Sequence, residues 1–432
     1  MSESMAQRAV GADGRSLFAI LLVAVFGFFW IGLAPFPDPN ASGLLTPFGE
    51  SSNLTNQLVV LMLAGLVLLA LLQHPARGLV LRSCGMLALI VCWLLVTMPL
   101  SSSPETVIRR LVFAVLVCLC ASSVLFLPRD IRQFGALTGG CIFAAVLLSW
   151  IGVFVVPGLA IHQASDALEQ QLAGAWRGHF GHKNTTAAAM VYAVFFGLYL
   201  IRAKSAFYGA ALTLAAFVFL LNSGSKTSVA MLPAIMGIAW VFERAGSLRL
   251  MVVVVPLALM NYILMSAALS DGFRDLLVSI GVDPTFTDRT AVWRLAIDAV
   301  AQKPVTGYGF QAFWQMDGLV YGESGDTNWA VTAANAHNGY LEQLINGGLP
   351  LLLMVLAWLV LLPARHAGLA FSRAQQPELT RLFLRCWLFA LFLACLESPF
   401  FDNRGPVWFT MLIAIFGLRM LAYGNLTRSD DS

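Results

Sequence analysis

Charge is what this chain has least of. Its 432 residues include 26 Lys and Arg and 23 Asp and Glu, 11% in all, where soluble domains carry nearer a quarter. That leaves too little to cover a water-facing surface. A formal net charge of +3 gives no basic footprint, and no nucleic-acid partner is expected. Cofactor signals are missing as well. Ser223 to Ser228 looks at first like a phosphate loop, but it lacks the upstream glycine and the preceding strand. Gly307-Tyr308-Gly309 is too short for a dinucleotide motif and reads as a turn. His179 and His182 are three apart with no third ligand nearby, which speaks against a metal site. The seven cysteines (Cys84, Cys92, Cys118, Cys120, Cys141, Cys386, Cys395) all fall within or at the edge of apolar stretches. They read as buried small hydrophobes, with neither a disulfide framework nor a thiolate site.

What is abundant is apolar sequence, 59% of the chain. It comes in runs of roughly twenty residues, the length a bilayer demands. About twelve are visible: 16–35, 56–73, 84–100, 107–127, 131–157, 184–202, 205–221, 226–242, 249–270, 338–362, 381–398 and 405–423. In lipid the backbone must satisfy its own hydrogen bonds, so these runs are expected to be helices. The expected fold is an all-α polytopic membrane protein with about 12 transmembrane helices. Residues 1–432 form a single membrane domain, with no internal repeat in view. The first run is too long for a signal-peptide core and is read as a retained helix.

Basic residues set the orientation. Arg77/Arg82, Arg129/Arg132, Arg202/Lys204, Arg244/Arg249 and Arg365/Arg373 lie in short connections. They alternate with 36–55 and 101–106, which hold no internal Lys or Arg. The positive-inside rule then puts both termini in the cytoplasm and 158–183, 222–226, 271–337 and 399–404 outside. The largest outer loop, 271–336, is a polar island in an apolar chain, and water-facing chemistry has few other places to be.

Within that loop, Thr287 or Asp288 is expected to cap a helix running to about Gln302, ahead of Pro304. Arg289 and Trp293 then share a face with Ile297 and Val300. Arg289 in the first turn makes an anion site with the free N–H groups; the plainer role is an ion pair with Asp288 or Asp298. His337 follows Asn335, a candidate N-cap, and opens the apolar helix from Asn338. A helix start disfavours imidazolium, which suits a proton acceptor; the plainer role is an interfacial histidine bonded to a carbonyl. Lys226 between two apolar helices either snorkels or meets an anion, and Arg404 is a further anion ligand or a partner of Asp402. Together the outer segments offer Arg177, Lys183, Lys226, Arg289 and Arg404, one candidate base, and rings for sugar stacking in Trp176, Trp293, Trp314 and Tyr340. That set suits a lipid-linked phosphate or pyrophosphate carrying a glycan. ATP is absent at an outer face, so the energy would come from the substrate's own leaving group.

The motifs Phe180-Gly181-His182-Lys183-Asn184, Ser223-Gly224-Ser225-Lys226-Thr227, Asp288-Arg289-Thr290 with Trp293, Pro304 to Gly309, and His337-Asn338-Gly339-Tyr340 before Gly347-Gly348 stand in this order. In this order and spacing the chain resembles the O-antigen ligase and Wzy-type polysaccharide polymerase superfamily, including ExoQ-like proteins. The resemblance implies a GT-C type glycosyltransferase of the bacterial inner membrane with a large periplasmic loop. It implies an undecaprenyl-pyrophosphate-linked glycan as donor, a second glycan or lipid A–core as acceptor, and no cofactor or metal. Chain-length or export proteins would be further partners. His337 is implied as the base and Arg289 as the pyrophosphate ligand. Lys226, Arg177, Lys183, Arg404, His182, Trp293 and Asn338 complete the candidate substrate site. The family position at Lys226 is commonly arginine, and lysine keeps the charge without the bidentate fork. The Gly-His-Lys-Asn motif leans toward the ExoQ-type polymerases; a ligase is the alternative. A transporter or flippase of lipid-linked glycan is a different class with the same cations, and Glu397 is its single candidate for an acidic relay.

Overall fold

The structure is a computed structural model of the chain. It describes residues 12–38, 40, 54–74, 77–166, 170–287, 289–314, 330, 333–374, 376–402 and 405–423. The helices are α1 (Ala12–Trp30), α2 (Leu54–Gln73), α3 (Arg77–Ser83), α4 (Gly85–Thr97), α5 (Pro104–Ser122), α6 (Ile131–Val155), α7 (Lys183–Ala203) and α8 (Ala206–Asn222). They continue with α9 (Lys226–Arg244), α10 (Arg249–Leu269), α11 (Asp271–Ser279), α12 (Arg289–Gln302), α13 (Gly339–Leu356), α14 (Leu362–Arg373), α15 (Pro377–Leu393) and α16 (Pro406–Tyr423). A π-helical turn, Ala357–Leu361, joins α13 to α14. Among the described residues the extended structure amounts to one isolated bridge, Ile161 with Trp176.

Each apolar run holds a helix. Among the described residues, seven helical spans are long and apolar enough to cross a bilayer, while Ser16–Trp30, Gly85–Leu100 and Ala206–Asn222 are shorter apolar helices. The regular structure of the described residues is helical, as in a multi-pass membrane protein. Burial sorts the spans. Residues of α7 and α16 are 78% and 89% buried, whereas the Gly246–Leu269 span is 22% buried. The first two therefore form the centre of the bundle, and α10 turns Leu250, Val255 and Leu259 outward, as a lipid-facing helix does. Small residues let the central helices close up. A Cβ on Gly209 of α8 would lie 2.4 Å from the Ile201 nitrogen and 2.6 Å from the Gly197 oxygen of α7. That is the close approach used where lipid supplies no hydrophobic drive between helices.

Two features of the polar segment position the site. The first is α12, which the structure bounds at Arg289 and Gln302, as its sequence signals predict. Its inner side, Val292, Trp293, Ala296 and Ala299, is buried as it packs on α10 and α13. The second is a break in α13 at Gly347–Gly348, where Gly348 has φ +69°. A Cβ there would fall 2.1 Å from the Val305 carbonyl oxygen, so only glycine admits the Pro304–Gly309 turn. That turn docks by two backbone bonds, Leu349 N–H to Pro304 O and Tyr308 N–H to Ile345 O, both 2.8 Å.

Three expectations change. The cap of α13 is Asn338, which accepts from the Tyr340 and Leu341 amides; Asn335 instead accepts the His337 N–H at 2.9 Å. His337 therefore lies just outside the helix. The outer segment also holds α11, which the apolar pattern does not announce. Among the cysteines, five are buried, Cys84 is half-buried and Cys92 is exposed.

Candidate active site

The centre of the site is a carboxylate. Glu397 follows the end of α15, its amide bonded to Leu393 O. One oxygen, Oε1, accepts from Arg289 Nη2 at 2.7 Å and from Asn184 Nδ2 at 2.9 Å. The other, Oε2, lies 3.3 Å from His337 Nδ1. Three distant segments, the first turns of α7 and α12 and the lead-in to α13, thus meet on one side chain. All are partly buried, at 14% exposure for Arg289, 23% for Glu397 and 27% for His337. Burial pushes the Glu397 carboxyl up, but the Arg289 guanidinium first, then His337 and His182, outweigh it and hold the group down to about 2. It is an anion at any ordinary pH.

His337 is held rigidly by what surrounds it. Its backbone sits in the left-handed region, φ +45°, which a non-glycine residue adopts at a cost when the neighbours impose it. Glu342 Oε2 takes the Ala336 N–H at 2.7 Å, and both its oxygens take Trp314 Nε1 at 3.1 Å. Asn338 donates to Asn261 Oδ1 of α10 and to Cys395 O, both 3.0 Å. The chain on either side of His337 is pinned to α10, α13 and the end of α15. With a carboxylate facing Nδ1, the neutral tautomer that donates there leaves Nε2 as the proton-accepting nitrogen.

Of the other expected site residues, some meet this centre and some do not. His182 caps α7, accepting the Asn184 N–H at 3.1 Å, and its charge acts on Glu397. Asn338 is 1% exposed with its amide committed to the cap and to Asn261 and Cys395, so it braces the site from beneath. Lys183 and Lys226 flank the Ser223–Ser225 turn. Lys183 Nζ donates to Gly224 O at 3.4 Å, and Lys226, exposed at the first position of α9, contributes to holding the Asp283 carboxyl down, after the Thr285 backbone and side-chain bonds. Arg404 lies outside the described residues.

Arg177 departs from expectation. It is 1% exposed, and its guanidinium is taken up by Asp166 Oδ2 (2.8 Å), Leu159 O (2.8 Å) and Gly158 O (3.1 Å). A cation closed in by its own partners reaches no substrate; it ties the 158–177 segment together. His179 is also structural. Its Nε2 donates to Trp30 O at 2.8 Å and its Nδ1 meets Ser149 Oγ at 2.7 Å, and burial lowers its pKa to about 4 despite the Trp30 bond. The proposed sugar platforms change too. Trp293 is fully buried against Phe286, with ring centroids 5.8 Å apart. Trp314 is bonded to Glu342, and Tyr340 gives its hydroxyl proton to Leu391 O at 2.9 Å. Trp176 alone of the four is half-open.

Sequence reading marks Glu397 as a relay candidate and not as the hub. Glu397 is an acid at the end of an apolar run, and an ionisable group there is a functional signal by default; what sequence leaves out is its partners. Asn184 stands in the Phe180–Asn184 motif but shows its role only through its 2.9 Å contact with Glu397.

Comparison with known proteins now bears on this site. Residues 189–356, which include Arg289 and His337, match the Wzy_C family, described as O-antigen ligase. The exopolysaccharide production protein ExoQ of Rhizobium meliloti (strain 1021) is 27% identical over 220 residues, 48% of this chain. The chain spans about half the length of that curated relative, 50%. Residues 189–356 are thus similar to the O-antigen ligase family, and about half of the chain is similar to ExoQ.

Proposed function

We propose that this protein is a GT-C type glycosyltransferase with its twelve apolar helices as spans, moving a glycan from undecaprenyl pyrophosphate to an acceptor hydroxyl at the periplasmic face of a bacterial inner membrane. The observation that carries the reading is the meeting of Arg289 and His337 on Glu397. Glu397 engages one guanidinium nitrogen, Nη2, and the rest of the fork is the part suited to a pyrophosphate. His337, with Nδ1 toward Glu397, takes the acceptor's hydroxyl proton on Nε2. The freed oxygen bonds to the anomeric carbon, the bond from that carbon to the pyrophosphate oxygen breaks, and undecaprenyl pyrophosphate leaves against Arg289. Glu397 orients the ring and balances the imidazolium that forms, the role a carboxylate plays beside a catalytic histidine. In this reading Lys226, Lys183 and His182 serve the anionic or glycan part of the donor.

The acceptor we favour is a second lipid-linked repeat, which makes the protein a polymerase; the likeness to ExoQ, an exopolysaccharide production protein, supports this. The O-antigen ligase description of the matched family supports the alternative, transfer to lipid A–core. Purified protein given a lipid-linked glycan and either acceptor separates them. Lengthened lipid-linked product supports the polymerase, glycan on lipid A–core supports the ligase, and no transfer to either sinks both.

A further inference from the structure

A second cluster of cations lies at the opposite end of the bundle. Arg82 and Ser83 of α3, Trp358 of the π turn, His366 of α14 and Arg419 of α16 surround a cavity of about 270 Å³. None of its lining residues is Asp or Glu. His366 is 3% exposed, yet its Nδ1 has no hydrogen-bond partner, and Arg419 Nε is likewise buried and unpartnered. Tyr423 closes one side, its ring 5.3 Å from the His366 ring and 5.9 Å from the Arg419 guanidinium. The positive charges of Arg419 and Arg365 both act on His366.

Cations at helix ends often do no more than snorkel to water. Here His366 Nδ1 and Arg419 Nε are buried and lack partners, Arg82 is exposed at the rim, and the charges come from two separate helices onto one space. A guanidinium withdrawn from water with no counter-charge is unfavourable unless an anion meets it. Depth identifies the anion. Past the break at Gly347–Gly348, His366 lies roughly 26 Å along the helical run at about 1.5 Å per residue, near the full thickness of a hydrocarbon core of about 30 Å. That is headgroup depth. The volume is below the roughly 300–1,000 Å³ of pockets that enclose drug-sized ligands, so it suits a phosphate group and not a nucleotide.

We propose that this cavity holds the phosphate of an anionic phospholipid, with Arg82 and Arg419 as its ligands and His366 as a further donor. Basic pockets between membrane helices recognise anionic headgroups in this way, and the planar guanidinium fork matches phosphate oxygens. The site is remote from Glu397 and independent of the proposed transfer reaction.

The test uses the full-length protein in detergent micelles, titrated with phosphatidylglycerol, phosphatidylcholine or inorganic phosphate. Retained lipid is counted by native mass spectrometry and stability is followed by thermal unfolding. Wild type is expected to retain phosphatidylglycerol over phosphatidylcholine and to be stabilised by it. Arg82→Gln and Arg419→Gln should each weaken retention roughly tenfold, the value of one charged hydrogen-bonded contact. Arg129→Gln, in a separate basic depression, should change nothing. Arg419→Lys, which keeps the charge, should retain part of the binding and guards against a folding defect. Wild type that holds phosphatidylglycerol no better than phosphatidylcholine overturns the proposal. So does stabilisation by inorganic phosphate alone, which would assign the cavity to free phosphate.

Discussion

Glu397 and Arg289 are 108 residues apart in the chain and 2.7 Å apart in space, Oε1 to Nη2. The arginine best placed to bind a substrate anion thus already faces a protein carboxylate, and the same carboxylate faces His337. An incoming pyrophosphate would meet a guanidinium already aimed, and the histidine's orientation depends on the same acid. Four predictions follow from this arrangement and from the buried pair at Arg177.

Glu397→Gln should cost stability in a pH-dependent way. The carboxyl is held at about 2 in the folded protein against an ordinary 4.5. A lowered folded-state pKa stabilises above the unfolded value and loses that contribution as pH falls through the folded one. The gap in unfolding temperature between wild type and Glu397→Gln should be constant from about pH 7 to about pH 5, then shrink as pH drops below 4.5 toward 2. A gap that stays constant throughout would mean that shape, not charge, makes the difference.

Arg289→Ala should weaken binding of a lipid-pyrophosphate donor by roughly tenfold or more, the scale of one charge-assisted contact. Arg289→Lys should recover little, because a point charge lacks the fork that serves Glu397 and a phosphate together. Arg294→Ala is the comparison. Arg294 donates from Nε to Ala268 O near the end of α10, so it should lower the unfolding temperature slightly and leave donor affinity alone. Equal losses of affinity at both positions would point to a general surface-charge effect.

Under the proposed reaction, His337→Ala should slow glycan transfer by roughly 100- to 10,000-fold, the usual range for positioned proton removal, while donor binding survives. The two readings separate on equilibrium binding of the donor. If His337→Ala loses affinity as Arg289→Ala does, the histidine is a ligand and not the base.

Arg177→Met should destabilise without a specific effect on donor affinity. It leaves the Asp166 carboxylate, 3% exposed in its ion pair, with only the Gln163 N–H and His162 beside it, and breaking one side of a buried pair typically costs about 3–5 kcal/mol. Adding Asp166→Asn should restore part of the loss in thermal unfolding. Failure of the second substitution to restore anything would place the damage in the lost bonds to Gly158 O and Leu159 O.

The sequence by itself determined the helices, because a bilayer sets both their length and their composition. It determined the bounds of α12, where a polar start and Pro304 bracket a periodic stretch. It also marked Arg289, at the start of α12, and His337, just ahead of the next apolar helix. Only the tertiary structure decided what those residues face. Arg177 and Arg289 look alike in sequence, each an arginine in an outer segment. One is closed in by Asp166 and backbone carbonyls, the other opens toward a shared carboxylate. Asn338 rather than Asn335 became the cap because its side chain meets the Tyr340 and Leu341 amides. Glu397 became the hub because the ends of α7, α12 and α15 converge there. The contacts that meet on Glu397 join positions 60, 108 and 213 residues apart, and no local propensity encodes them; they exist only once the helices have packed.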